Sequence, residues 1–206
     1  MRKTPEQTVF IVDDDAAVCD SIQELVESVG LRAKSFTSGQ AFLDQYQPER
    51  SGCLVLDVRM AEMSGLVLQE KLNSLGASLP VIIITGHADV PMAVNALKSG
   101  AVDFVQKPYR DQLLLDSINN ALTIDAIARR SREDSKLCDR QLATLTNREQ
   151  EVLDKLLAGS ISKQIARELG ISTRTVEAHR QSLLRKLGVG SVKELMIHPI
   201  TREKGK

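Results

Sequence analysis

Short apolar, β-branched runs alternate with stretches of helical periodicity through the first 122 residues. The runs are VFIV (9–12), LRAKSF (31–36), CLVLD (53–57), VIIIT (81–85) and AVDFV (101–105); helical patterns follow them over 16–28, 39–46, 65–75, 90–98 and 111–122. Five strand–helix units in succession predict a parallel sheet, because parallel neighbours need a crossover to return the chain. A run such as VIIIT leaves no face for water, so helices must cover both sides and the sheet is doubly wound. From 123 to 141 the chain is charged, free of Pro and Gly, and rich in Ala, Arg, Glu and Lys, which predicts a helical linker, with a flexible tether as the alternative. Beyond it, helical patterns at 147–158, 161–169, 172–187 and from 191, separated by Gly159, Gly170 and Gly188, predict a four-helix domain over 142–206. The expected fold class is therefore α/β plus all-α: a five-stranded parallel domain (1–122), a helical linker (123–141) and a small helical domain (142–206).

The formal net charge of zero is a cancellation. Residues 1–122 carry 10 Lys/Arg against 16 Asp/Glu, and residues 123–206 carry 17 against 11. An acidic half joined to a basic half predicts metal or phosphate handling in the first and a polyanionic partner for the second. Cys19, Cys53 and Cys138 lack metal-ligand or disulfide spacing and read as small buried hydrophobes in a reducing compartment. No run approaches the roughly 20 apolar residues of a membrane span, and the reading is a cytoplasmic protein with no membrane partner.

In a doubly wound sheet the strand carboxyl ends share one edge, where ligands bind. Asp13 and Asp14 end the first strand, Asp57 the third and Thr85 the fourth, while Lys107 follows the fifth. Three carboxylates in one crevice repel unless a cation joins them, and hard oxygen ligands suit Mg²⁺. In such a site Asp57 could attack phosphorus, with the Lys107 ammonium holding phosphoryl oxygens and the Thr85 hydroxyl donating to one of them. Because Lys107 precedes Pro108, a cis peptide bond is admissible there. Taken singly, each residue has a blander reading: helix-capping acid, strand-ending turn, solvated lysine. Jointly, at the ends of different strands, they point to an aspartyl phosphate.

The segments FIVDDD (10–15), LVLDVRMAEMSG (54–65), VIIITGHADVPMAVNALKSGAVDF (81–104) and VQKPY (105–109) resemble the receiver domain of bacterial response regulators, especially the NarL/FixJ group. The resemblance implies a flavodoxin-like receiver with strand order 2-1-3-4-5 and Asp57 as phosphoacceptor. It implies Mg²⁺ held by Asp14, Asp57 and the backbone carbonyl of Arg59 with help from Asp13, and Thr85 and Phe104 as a coupled switch pair. One departure is visible: where the family pattern DxxMPxxxG has proline, Ala61 follows Met60. Its loss predicts a looser loop after Asp57 and an altered phosphoryl lifetime, with every ligand kept.

SISKQIARELGISTRTVEAHRQSLLRKLG (160–188) has the anatomy of a helix-turn-helix. Ala166 is small where two helices cross, Gly170 permits the turn, Ile165, Leu169, Ile171 and Val176 supply core, and Ser172 can cap the second helix. At about 100° per residue, Val176, His179, Leu183 and Leu187 share one face of that helix. Arg174, Ala178, Gln181 and Arg185 lie opposite with Glu177 at the edge, a face suited to the major groove; Lys163, Thr173, Thr175 and Arg180 are placed for phosphates. A solvated charged face is the plain alternative. The stretches LTNREQEVL (145–153), SKQIARELGIS (162–172) and TVEAHRQSLLRKLGV (175–189) resemble the LuxR-type DNA-binding domain. In that family the fourth helix often carries dimer contacts; here Pro199 and the tail TREKGK put that use in doubt.

These readings combine into a transcriptional response regulator: a sensor histidine kinase phosphorylates Asp57, and the modification controls homodimerisation and binding to a double-stranded DNA operator, with RNA polymerase as a further partner. An enzymatic phosphoesterase is disfavoured because Arg59 stands where a general acid would be needed two residues after the nucleophile. The third reading is a DNA-binding protein whose receiver serves only as a dimerisation scaffold.

Overall fold

A computed structural model describes residues 6–86 and 90–197. β1 (Thr8–Val12), β2 (Arg32–Phe36), β3 (Gly52–Asp57), β4 (Val81–Thr85) and β5 (Asp103–Gln106) form one parallel sheet in the order β2-β1-β3-β4-β5. The helices of this part are α1 (Ala16–Ser28), α2 (Gly39–Gln45), α3 (Gly65–Ser74), α4 (Val90–Lys98) and α5 (Asp111–Ala143). Alternation along the strands sends Val9, Ile11, Val55, Ile82, Ile84 and Val105 into one core with residues of α1 and α5. Phe10, Val12, Leu54, Leu56 and Ile83 go to the other, with residues of α2, α3 and α4. All six residues of β3 are buried, as a central strand covered on both faces requires.

Several strand boundaries differ from the sequence expectation by one or two residues, and at β2 and β5 the residue expected to open the strand instead finishes the preceding helix. Leu31 donates its N–H to the carbonyl of Val26, and Ala101 donates to Ala96, so β2 starts at Arg32 and β5 at Asp103. The expected linker is helical and continuous with the expected last receiver helix, making α5 one element of 33 residues. The chain parts into two compact units inside this helix, at Ala128/Arg129. Leu114, Ile118 and Ala121 of α5 are buried, and four residues on, in phase with them, Asp125 is fully buried. Its Oδ2 accepts from Ser51 Oγ (2.7 Å) and from the N–H of Gly52 (2.9 Å), tying α5 to the first residue of β3.

The second unit contains α6 (Asn147–Leu157), α7 (Ser162–Leu169), α8 (Thr173–Leu187) and α9 (Val192–Ile197). Val152, Leu153, Leu156, Ile165, Val176, Leu183, Leu187 and Leu195 form its core with Cys138 and Leu145. All three cysteines are buried thiols outside any disulfide, in keeping with their reading as small hydrophobes. Among the described residues no helix is long and apolar enough to cross a membrane. Pro199 and the tail TREKGK lie outside the described residues.

Candidate functional site

The parallel sheet delivers its carboxyl-edge residues to one place. Asp13 follows β1, Asp57 and Thr85 are the last residues of β3 and β4, and all three are buried. Lys107 follows β5; its N–H donates to the carbonyl of Thr85, and its bond to Pro108 is cis. The Lys107 ammonium donates to Asp13 Oδ2 (2.6 Å) and to Asp57 Oδ1 (2.9 Å). Burial pushes the Asp57 carboxyl above the usual range; Lys107 opposes that shift and the neighbouring Asp13 adds to it. Burial alone would lower the Lys107 ammonium, but its two carboxylate partners carry it above its ordinary value. The resting site is thus two buried carboxylates knit by one shared cation.

The loop after β3 wraps this centre with backbone amides. Arg59 N–H donates to Asp57 Oδ2 (2.6 Å) and Ala61 N–H donates to the exposed Asp14 at Oδ2 (2.8 Å). The sequence led us to expect a looser loop where proline is missing; instead Ala61 supplies a tie that proline, lacking an N–H, could not make. Asp15, third of the acidic triplet, accepts from Ala17 N–H and caps α1. Among the described residues no three His, Cys, Asp or Glu side chains gather as a metal-binding cluster. Asp13 and Asp57 meet on Lys107, and Asp14 meets the loop after β3. The chemistry of the donors still fits a hard dication: each carboxylate keeps unused lone pairs, and one ammonium offsets only part of the buried negative charge.

Register places Phe104 opposite Ile83, two residues back from the Thr85–Gln106 pair. Phe104 is half-buried against the core that includes Ile83 and Ala96. One position of the site was not singled out from sequence. A Cβ on Gly65, the first residue of α3, would lie 2.2 Å from the carbonyl oxygen of Asp57. That helix can start directly on the backbone of Asp57 only because its first residue has no side chain.

In the second unit, Gly170 ends α7 in the left-handed conformation (φ 66°), making the turn into α8, and Ser172 Oγ accepts from Thr175 N–H (3.0 Å). Val176, Leu183 and Leu187 are buried on the expected inner face, with His179 half-buried among them. Lys163, Thr173, Arg174, Ala178, Gln181 and Arg185 are exposed. Three of the sequence candidates are engaged within the domain. Thr175 Oγ1 bonds Ser172 Oγ (2.8 Å) at the cap, while Glu177 Oε1 takes both Ser162 Oγ (2.5 Å) and Arg180 (3.4 Å). Glu149 also escaped sequence reading: it is buried and accepts from Lys186 Nζ (2.6 Å) and Thr146 N–H (2.8 Å), joining α6 to α8.

Comparison with known proteins covers both units. Residues 9–119 match the response regulator receiver domain and residues 143–198 match the luxR family of bacterial regulatory proteins. The chain is 49% identical over 190 residues to the transcriptional regulatory protein TdiR of Thauera aromatica, spanning 92% of this chain and 83% of TdiR. It is 43% identical over 188 residues to the transcriptional regulatory protein FixJ of Azorhizobium caulinodans, spanning 91% and 89% of the two chains. Among solved structures it is similar to the response regulator StyR, with TM-score 0.88, 42% identity and coverage of 97% and 99%. It is also similar to full-length FixJ from B. japonicum, with TM-score 0.60, 37% identity and coverage of 98% and 99%.

Proposed function

The chain belongs to the two-component response regulators that join a receiver domain to a LuxR-type DNA-binding domain, and from that premise we propose that phosphorylation of Asp57 by a sensor histidine kinase controls homodimerisation and operator binding. The observation that carries this reading is the buried Asp57 carboxylate at the sheet's carboxyl edge, sharing the Lys107 ammonium with Asp13. An Asp57 oxygen attacks the phosphorus of the kinase's phosphohistidine; the phosphorus–nitrogen bond breaks and its electron pair stays with the imidazole. Lys107 offsets charge on the transferred oxygens, and the Thr85 hydroxyl donates to one of them.

Asp13, Asp14, Asp57 and the backbone carbonyl of Arg59 would hold Mg²⁺, which when bound supplies positive charge against the phosphoryl oxygens. Thr85 drawn toward the new dianion leaves space that Phe104 fills, which alters the face made by α4, β5 and α5. Moving such a switch from 1:99 to 99:1 takes about 5.5 kcal/mol of differential stabilisation, within reach of several charge-assisted contacts.

On DNA, Arg174, Ala178, Gln181 and Arg185 face base edges, and Lys163 and Thr173 face phosphates. Thr175, Glu177 and Arg180 serve the same interface by fixing how α8 is presented, through Ser172 and Ser162.

Incubation of the full chain with a labelled acyl phosphate and Mg²⁺ tests the first half of this reading, and label retained by Asp57→Asn rejects the site. DNA fragments selected in parallel by phosphorylated and unphosphorylated protein test the second half. On such fragments Arg174→Ala or Arg185→Ala should cost about 1–3 kcal/mol of affinity at unchanged Tm. Wild-type affinity in both variants would mean that α8 meets DNA through another face.

A further inference from the structure

We propose that the backbone N–H of Ala61 is a clasp on Asp14 that competes with the divalent cation for that carboxylate, so that Mg²⁺ binds more tightly once the loop between β3 and α3 lets go. The proposal rests on the reading of Asp13, Asp14 and Asp57 as the cation's ligands. Of these three, Asp13 and Asp57 are buried and oriented by Lys107, whereas Asp14 is exposed and its Oδ2 is held by Ala61, 47 residues away in sequence. An N–H donor draws electron density from the carboxylate and turns it toward the loop, and both effects make it a poorer ligand until the bond is given up. Proline, which the response-regulator pattern resembled by this chain carries at that position, has no N–H and leaves the neighbouring Asp free of this contact.

The loop is short enough for the clasp to matter at Asp57. Gly65 N–H closes it onto the carbonyl of Val58 (2.9 Å), and Arg59 N–H already holds Asp57 Oδ2, so alternate amides of one loop grip the carboxylate that ends β3 and one that follows β1. Release of Asp14 therefore loosens the segment that also orients Asp57. Cation loading and loop order become one equilibrium, and Ala61 is a positioning residue acting through its backbone.

Titration of the full chain with MgCl₂ by calorimetry, with no phosphodonor present, tests this. Ala61→Pro deletes the donor and should bind Mg²⁺ about three- to tenfold more tightly than the wild type, the range set by the ordinary net strength of one hydrogen bond. In the wild type, the Ala61 amide followed by NMR should lose exchange protection and shift as Mg²⁺ is added, a readout that stands even if the proline variant folds poorly. Equal affinities together with an unmoved Ala61 amide would overturn the clasp while leaving the cation site in place. Tightening in Ala61→Gly, which keeps the donor, would also overturn it. No Mg²⁺ binding by the wild type would overturn the clasp and the ligand reading together.

Discussion

Gly65→Ala is expected to lower receiver stability by about 3 kcal/mol, a drop in Tm on the order of 10 °C, and to slow phosphoryl uptake about a hundredfold. The added Cβ would lie 2.2 Å from the Asp57 carbonyl oxygen and 3.0 Å from both the Asp57 carbonyl carbon and Leu56 Cγ. None of these is the tip of a long flexible side chain, so either the start of α3 or the end of β3 must move. Moving β3 displaces the Asp57 carboxylate from Lys107. Moving α3 pulls on the Gly65 N–H bond that closes the loop onto Val58. Both routes misplace the nucleophile, which is why stability and chemistry should fall together. Thermal unfolding followed by circular dichroism and the rate of label uptake from acyl phosphate measure the two effects; a wild-type rate in a folded Gly65→Ala protein would show that the nucleophile tolerates the shift.

Lys186→Ala is expected to destabilise the helical unit by about 3 kcal/mol, because it leaves Glu149 buried without its cation. Burial would raise the Glu149 carboxyl, yet the Lys186 ammonium, the Thr146 N–H and the hydroxyls of Ser182 and Thr146 hold it down to about 2. A folded-state value below the ordinary 4.5 means that this group's contribution is fully present above about pH 4.5 and is lost as pH falls from there toward 2. Unfolding of the wild type between pH 5 and 3 should therefore show stability falling with acidification, and Glu149→Gln should flatten that slope. An unchanged slope in Glu149→Gln would assign the acid sensitivity to other carboxylates. Lys186 stands in the last turn of α8 and Glu149 in the first turn of α6, so the pair joins the end of one helix to the start of the other.

What could be read ahead of the structure was whatever has a period or ends an element. VIIIT and CLVLD announced strands covered on both faces, and Asp13, Asp57, Thr85 and Lys107 stood out because each closes a different strand at the shared edge. The sharing of Lys107 between two carboxylates is a matter of side-chain conformation, and no spacing encodes it. Ala61 shows the limit most sharply. Its substitution for proline was visible, but reasoning from the lost ring rigidity pointed to a looser loop, whereas the regained backbone N–H produces a new bond. Asp125 and Glu149 did have signals that went unread. Asp125 continues the buried phase of Leu114, Ile118 and Ala121, and Thr146-x-x-Glu149 is the spacing of a capping box. Glu177 was assigned outward from its place at the wheel's edge; its engagement with Ser162 depends on how α7 crosses α8, which a single-helix projection does not contain.

The buried thiols have a use beyond filling space. Cys19 and Cys53 sit in the unit that ends at Ala128 and Cys138 in the unit that begins at Arg129, and burial pushes the first two thiols above their ordinary range, away from the reactive thiolate. An alkylating reagent therefore finds little to react with while both halves are closed, and the position it marks names the half that came apart. The chain carries its own pair of clocks, one for each domain, timed by opening rather than by total unfolding.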